Sequence, residues 1–216
     1  MRYIFGPVPS RRLGRSLGID PTPPPRPAEA AMARPCPNPS VKKACNWNCV
    51  YCQLGRTRPF TRKRASFFPP EELLSELRET LAASPCGAID WITFVGSGEP
   101  TLNRDLGSLV RGAKEIYDIP VAVITNGSLL GEAEVKDALL LADAVMPTLD
   151  AGSPDLFRRI NRPPSDFRLE NHVRGCLGAH RPRRRSYPPA DPAAGGGEGV
   201  ALGRERPCAR QARTGK

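Results

Sequence analysis

The sequence has no long apolar run, and this absence limits where the protein can work. No stretch reaches the roughly 18 consecutive apolar residues that a membrane-spanning helix needs. The first 20 residues also lack the apolar core and small-residue cleavage site of a signal peptide. We therefore expect a cytoplasmic protein without a membrane span. In that reducing compartment, seven cysteines among 216 residues indicate metal binding or catalysis rather than disulfide bonds.

Acidic residues are outnumbered, with 22 Asp and Glu against 32 Lys and Arg and a net charge of +10. Such an excess could attract nucleic acid. The excess is unevenly placed, because residues 172–216 contain ten Lys and Arg against three Asp and Glu. The basic character of the chain therefore belongs mostly to its last segment, and the charge of the first 171 residues is ordinary.

Alternating strand and helix patterns run through the first 171 residues. Segments rich in β-branched and aromatic residues predict strands, and segments with helical apolar spacing predict helices. The later strands follow at intervals of about 25–30 residues, which is typical of βαβ units with parallel strands. The predicted strands span residues 16–20, 89–95, 121–125 and 144–150, and the predicted helices begin near residues 70, 104 and 132.

Polar and glycine-bearing segments follow the predicted strands directly. The cysteine-rich segment, residues 96–100, the Asn126-Gly127 pair and Asp150 all come just after strand ends. In α/β folds the carboxyl ends of parallel strands carry the chemistry. We therefore expect an α/β fold, either a barrel or an open sheet, with its site on that rim. Pro147 in the last strand indicates an edge position or a bulge.

Two segments do not fit this pattern. Residues 21–41 are rich in proline and alanine and predict an inserted, mobile loop. From residue 172 onward the periodicity is lost, and low hydrophobicity with like charge predicts a basic, disordered tail. That tail could be an RNA-binding arm or the product of a frameshift. The predicted domains are thus a core over residues 1–171, with the insert at residues 21–41, and a tail over residues 172–216.

Three cysteines in eight residues, Cys45, Cys49 and Cys52, form a C-x3-C-x2-C array. Soft thiolates select iron–sulfur clusters, zinc or copper(I). A structural zinc site wants four ligands, usually as two separated pairs, whereas a [4Fe–4S] cluster held by three cysteines keeps one iron open. The array favours the cluster, with zinc as the alternative. The four cysteines that are poorly placed as a fourth ligand are Cys36, Cys86, Cys176 and Cys208.

The cysteine segment resembles the cluster motif of the radical S-adenosylmethionine (SAM) superfamily, C-x3-C-x-aromatic-C, with Tyr51 in the aromatic place. The resemblance implies a [4Fe–4S] cluster whose open iron binds SAM, and it places Tyr51 beside the adenine. The Gly-Ser-Gly-Glu-Pro segment resembles the family's G-G-E-P element, with Ser97 as a departure. The resemblance therefore implies that Gly98 and Glu99 hold the amino group of SAM.

Members of this family use polar residues at the next strand ends for the ribose and carboxylate of SAM. By that resemblance Asn126, Thr148 and Asp150 are candidate SAM contacts. The alternative is equally good from the residues themselves, because Asn-Gly is a common turn and a strand-end Asp needs no further role.

The opening residues 3–14 and residues 53–57 resemble a subgroup of radical SAM Fe–S oxidoreductases related to the wybutosine synthetases of tRNA. The resemblance implies a partial (βα) barrel of six units, of which about four are found, so we expect a C-terminally truncated core. It also implies an unknown substrate, for which tRNA is a candidate, and a flavodoxin- or ferredoxin-like electron donor. Arg11, Arg12 and Arg15 could meet phosphate or form an ordinary basic loop.

Two other functions stay open at this point. The chain could be a remnant that binds a cluster without turnover, which the missing βα units favour. It could instead be a zinc-stabilised nucleic-acid-binding protein, which the basic tail favours. In the enzyme interpretation, reductive cleavage of SAM to a 5′-deoxyadenosyl radical starts the modification of the substrate. The sequence identifies no general acid or base.

Overall fold

The computed structural model describes residues 3–22, 43–57 and 60–179. Its centre is a five-stranded sheet in the order β1-β2-β3-β4-β5. β1 (Ile4–Ser10) pairs antiparallel with β2 (Gly14–Ile19). From β2 onward the neighbours are parallel, through β3 (Trp91–Phe94), β4 (Val121–Thr125) and β5 (Ala144–Pro147).

A helix follows each of the four parallel strands. The five helices of the described residues are α1 (Pro70–Ala83), α2 (Leu106–Ile116), α3 (Ala133–Leu139), α4 (Pro154–Ile160) and α5 (Leu169–Ala179). The prediction of a mixed α/β fold with four βα units is therefore confirmed. The arrangement is that of a partial βα barrel.

The main core lies between the sheet and helices α1 to α3. Leu73, Leu77 and Leu81 recur at intervals of four on α1 and are buried, because residues four apart share one helical face. α2 buries a similar stripe against the sheet. The strands contribute fully buried β-branched and aromatic side chains, among them Ile92 and Phe94. This core fixes the strands from which the loops of the candidate site extend.

A second, smaller apolar cluster supports the cysteine segment. Trp47 lies in that segment and is packed with Ala151, Phe157 and Leu169, which come from the loop after β5 and from α4 and α5. Cys45 and Cys49 pack against the same cluster. The last two helices therefore contribute side chains that pack against the cysteine segment.

The N-terminal strand β1 was not predicted, because Gly6, Pro7 and Pro9 interrupt any strand pattern. Proline cannot donate a ladder hydrogen bond and is tolerated in a sheet only at edges and bulges. β1 is an edge strand, and its register with β2 shifts between Phe5 and Val8. At the other end of the sheet, the edge position predicted for Pro147 is confirmed by its place in β5.

The predicted start of the tail at residue 172 is wrong, because α5 runs across it from Leu169 to Ala179. His172 is buried and Cys176 packs against the main core. The pattern of this short amphipathic helix was missed because arginine-rich residues follow it directly. The rest of the predicted tail and nearly all of the predicted insert lie outside the described residues. None of the helices in the described ranges is long and apolar enough to cross a membrane.

Candidate functional site

The carboxyl ends of the parallel strands meet on one edge of the sheet. Ile19 lies beside Phe94 in the register, and Phe94 lies beside Val123. The segments that continue from these strands, together with the end of β5, therefore emerge side by side. The predicted site segments are thus brought together on this edge. Arg15, near the start of β2, is at the opposite edge and pairs there with Asp90 (3.1 Å).

The cysteine segment is held by backbone hydrogen bonds in which Glu99, in the loop after β3, and Ile160, at the end of α4, are the partners. The amide of Glu99 donates to the carbonyl of Ala44 (2.8 Å), and the amide of Val50 donates to the carbonyl of Ile160 (2.8 Å). Within the segment, the hydroxyl of Thr57 donates to the carbonyl of Trp47 (2.6 Å). The loop after β3 and the end of α4 therefore position the cysteines.

Each of the three sulfurs has a nitrogen donor of its own. Asn126 Nδ2 lies 3.9 Å from Cys45 Sγ, and Asn161 Nδ2 lies 3.8 Å from Cys49 Sγ. Lys43 Nζ lies 3.0 Å from Cys52 Sγ. N–H donors of this kind stabilise thiolates and commonly surround the sulfurs of metal sites.

Burial disfavours the thiolate form of two of the cysteines, Cys45 and Cys49. Burial raises the pKa of Cys45 to about 11, against a backbone hydrogen bond from Trp47 and the nearby charge of Lys43, which lower it. Burial also raises the pKa of Cys49. Metal ligands must be deprotonated, so binding here would release protons and would weaken as the pH falls.

Glu99 is buried and bonded on both carboxylate oxygens. Oε1 accepts from the amide (3.0 Å) and hydroxyl (2.6 Å) of Thr101 and from the hydroxyl of Thr125 (2.5 Å). Oε2 accepts from the amide of Asn126 (2.6 Å). Burial raises the pKa of Glu99, and these hydrogen bonds lower it. The carboxylate joins the loop after β3 to the end of β4, while its contact with SAM stays a prediction.

Gly98 is the place where the two site loops touch. A Cβ on Gly98 would lie 2.1 Å from the carbonyl oxygen of Ala44 and 2.7 Å from Thr22 Oγ1. Only glycine allows this approach. Asp20, at the end of β2, accepts a hydrogen bond from the amide of Ser97 (2.8 Å). Sequence reasoning missed Asp20, although its strand-end position was a usable signal.

Tyr51 and Asp150 are joined directly, since the Tyr51 hydroxyl donates to the Asp150 carboxylate. Asn161 donates to the same carboxylate oxygen (2.9 Å) and is fully buried. The Tyr51 side chain is 54% exposed, so its ring is accessible beside the cysteines. The structure thus places two predicted SAM contacts together and adds Asn161, which the sequence did not indicate.

Asn126 and Thr148 occupy different places in the site. Asn126 Nδ2 donates to Asn46 Oδ1 (2.8 Å), so its side chain faces the cysteine segment. Thr148 is placed by its backbone, with its amide bonded to the carbonyl of Thr125 (2.9 Å) and its carbonyl bonded to the ring of His172 (2.7 Å). The role of the Thr148 side chain stays a prediction.

Trp47 and His172 form the aromatic support of the site. The ring centroids of Trp47 and Phe157 are 5.2 Å apart, and those of Trp47 and His172 are 5.1 Å apart, both edge to face. Such pairs contribute beyond their buried area. The sequence did not reveal this cluster, because Trp47 lies more than 100 residues before Phe157 and His172.

The two other cysteines among the described residues, Cys86 and Cys176, are not gathered at the site. Cys86 is exposed in the turn before β3, at the opposite sheet edge, and Cys176 lies on α5 beside His172 (3.8 Å). Cys36 and Cys208 lie outside the described residues. Among residues 3–22, 43–57 and 60–179, no three His, Cys, Asp or Glu side chains are close enough to hold a single metal ion.

Comparison with known proteins identifies a family and several relatives that the chain resembles. The profile of the radical SAM superfamily matches residues 40–174. The chain is 41% identical over 186 residues to a protein named GTPase Obg from Brachyspira hyodysenteriae, covering 86% of this chain and 24% of that protein. It is 38% identical over 177 residues to a UPF0026 protein from Methanocaldococcus jannaschii. That match covers 82% of this chain and 49% of the relative.

A more distant match is a GTP 3′,8-cyclase from Limosilactobacillus fermentum. It is 31% identical over 128 residues, covering 57% of this chain and 36% of that protein. The chain therefore spans half or less of the length of these three relatives.

Proposed function

Because the chain belongs to the radical SAM superfamily, we propose that it binds a [4Fe–4S] cluster through Cys45, Cys49 and Cys52. We further propose that it binds SAM on the adjoining strand ends and cleaves it reductively. The observation that carries the proposal is the contact of Gly98 with the backbone of Ala44, which brings the glycine-bearing loop against the cysteine segment.

The donor set fits the cluster. Three soft thiol ligands lie in one segment, each has an N–H donor, and the described residues supply no fourth cysteine near them.

When bound and reduced, the cluster supplies one electron to the sulfonium of SAM, which yields methionine and a 5′-deoxyadenosyl radical. The chain's own residues bind and orient. The Tyr51 ring is accessible for the adenine. Gly98 lets the loop after β3, which would hold the amino group, approach the cysteine segment closely. Glu99 holds Asn126 in place through its amide and so positions the end of β4. Asn126 and Asp150 supply polar side chains at the rim.

The decisive experiment is anaerobic reconstitution followed by a SAM cleavage assay. We expect about four iron and four sulfide per chain and formation of 5′-deoxyadenosine under dithionite. Replacing Cys45, Cys49 or Cys52 by alanine should abolish both. Replacing Cys86, which is exposed and remote, should change neither and is the matched control.

The outcomes separate the alternatives. Stoichiometric zinc without iron uptake would overturn the proposal in favour of a zinc protein. A full cluster without 5′-deoxyadenosine would instead favour a chain that binds a cluster and does not turn over.

For partners we propose a small one-electron donor of the flavodoxin or ferredoxin type and an RNA substrate, with the cytoplasm as location. The support for RNA is the likeness of residues 3–14 and 53–57 to the wybutosine-related subgroup. Adding total tRNA to the cleavage assay should raise the rate of 5′-deoxyadenosine formation above that with an equal mass of DNA. An unchanged rate would contradict an RNA substrate.

A further inference from the structure

Lys43 differs from the other two sulfur donors in its charge. Asn126 and Asn161 present neutral amides to Cys45 and Cys49 at 3.9 and 3.8 Å. Lys43 presents an ammonium to Cys52 at 3.0 Å, the shortest of the three contacts. Its second hydrogen bond, to the carbonyl of Gly55 (2.8 Å), fixes the ammonium over the turn that follows Cys52.

The ammonium of Lys43 is also buried, with only 3% of the residue exposed. Buried lysines usually pair with a carboxylate, as half-exposed Lys114 does with Asp143 at 2.7 Å. In the part of the chain that the structure describes, no carboxylate lies within ion-pair distance of Lys43. Its polar partners there are the Cys52 sulfur and the Gly55 carbonyl.

A buried charge acts more strongly than an exposed one, because water and salt screen it less. Reduction adds one negative charge to a cluster and its thiolates. A fixed positive charge beside one thiolate stabilises that reduced state over the oxidised one. Charge and hydrogen bonds to the sulfurs are recognised determinants of cluster potentials.

We propose that Lys43 sets the reduction potential of the cluster by holding a positive charge against the thiolate of Cys52. The inference rests on the proposed function, since it requires the cluster. In the step concerned, one electron passes from the external donor to the cluster, and no bond forms or breaks. Lys43 is thus a positioning residue that acts through Cys52.

The test is a redox titration of the reconstituted full chain, followed by EPR of the reduced cluster. Lys43→Met removes the charge and keeps most of the stem. We expect the ratio of reduced to oxidised cluster at a fixed potential to fall about tenfold, a shift of about 59 mV for one electron. Lys43→Arg keeps the charge and should stay near wild type. Lys63→Met removes an exposed charge and should cause no shift.

A second variant separates charge from hydrogen bonding. Lys43→Gln keeps an N–H donor without the charge and should shift like Lys43→Met. An unchanged potential in either neutral variant with a full cluster would overturn the proposal. Loss of the cluster from both neutral variants would also overturn it, because Lys43 would then be a structural part of the segment. A wild-type chain that takes up no iron would overturn the proposed function itself.

Discussion

At the scale of single residues, the site depends on close backbone approach as much as on side-chain chemistry. Gly98 permits the contact between the glycine-bearing loop and Ala44. Asp20 and Glu99 then fix that loop by accepting hydrogen bonds from backbone amides. These contacts define how the predicted cofactor residues can face the cysteines.

Gly98→Ala should weaken both the fold and cluster binding. Its Cβ would lie 2.1 Å from the Ala44 carbonyl, so the loops must separate at a cost of about 1–3 kcal/mol. Urea unfolding and iron content after reconstitution measure the two effects. Gly131→Ala, where no atom lies within 4 Å of an added Cβ, is the control. Equal behaviour of the two variants would show that the contact is unimportant.

Asn161→Ala should loosen the attachment of Cys49 and Tyr51. Asn161 is fully buried and donates to the Asp150 carboxylate at 2.9 Å. Its loss should lower the free energy of unfolding by about 1–3 kcal/mol and reduce iron retention during gel filtration. Asn171→Ala, at an exposed position on α5, should do neither. Full stability of Asn161→Ala would contradict this role.

At the scale of elements, α4 and α5 matter because they support the cysteine segment through aromatic contacts. Phe157 of α4 is 2% exposed and packs on Trp47. The Ser153 hydroxyl accepts from the amide of Leu156 (3.4 Å) at the start of α4. This cap, with Pro154 at the first turn, is a sequence signal that could have revealed the helix.

Phe157→Ala should therefore weaken the packing that holds Trp47 and the cysteine segment in place. Truncation of a buried phenylalanine costs about 3–5 kcal/mol, and here the cavity would open beneath Trp47. We expect a lower urea midpoint and lower iron content. Leu177→Ala on α5 removes a side chain that is 73% exposed and should leave both unchanged. Normal iron uptake by Phe157→Ala would show that the support is dispensable.

Local patterns predicted the parallel part of the sheet, since Val121, Ile92 and their neighbours form compact β-branched runs. They also predicted the buried face of α1 from Leu73, Leu77 and Leu81. The edge strand β1 was not predicted, because prolines interrupt its pattern. Helix α5 was not predicted, because an arginine-rich run follows it.

The three cysteines stood out because they are close in sequence. Two of their nitrogen donors did not, since Asn126 and Asn161 lie 81 and 112 residues away from the sulfurs they contact. Contacts between residues so far apart in the sequence depend on the folded topology, which no local sequence pattern encodes.

At the scale of the whole molecule, the cysteine segment is bonded to the loop after β3 and to the end of α4. A cluster bound there should stabilise the entire fold, because a ligand of the native state shifts unfolding by mass action. The reconstituted chain should melt at a higher temperature than the apo chain. A variant with Cys45, Cys49 and Cys52 all replaced by alanine should show no difference. An unchanged melting temperature for the wild type would mean that cluster binding at the cysteine segment does not stabilise the rest of the fold.

The touching loops at Gly98 have a further consequence, which is thermodynamic reciprocity. If one loop holds SAM and the other holds the cluster, each ligand orders the surface that the other needs. The factor by which the cluster tightens SAM must then equal the factor by which SAM tightens the cluster. An abundant supply of SAM would accordingly protect the cluster against chelators, and starvation for SAM would leave it exposed to loss.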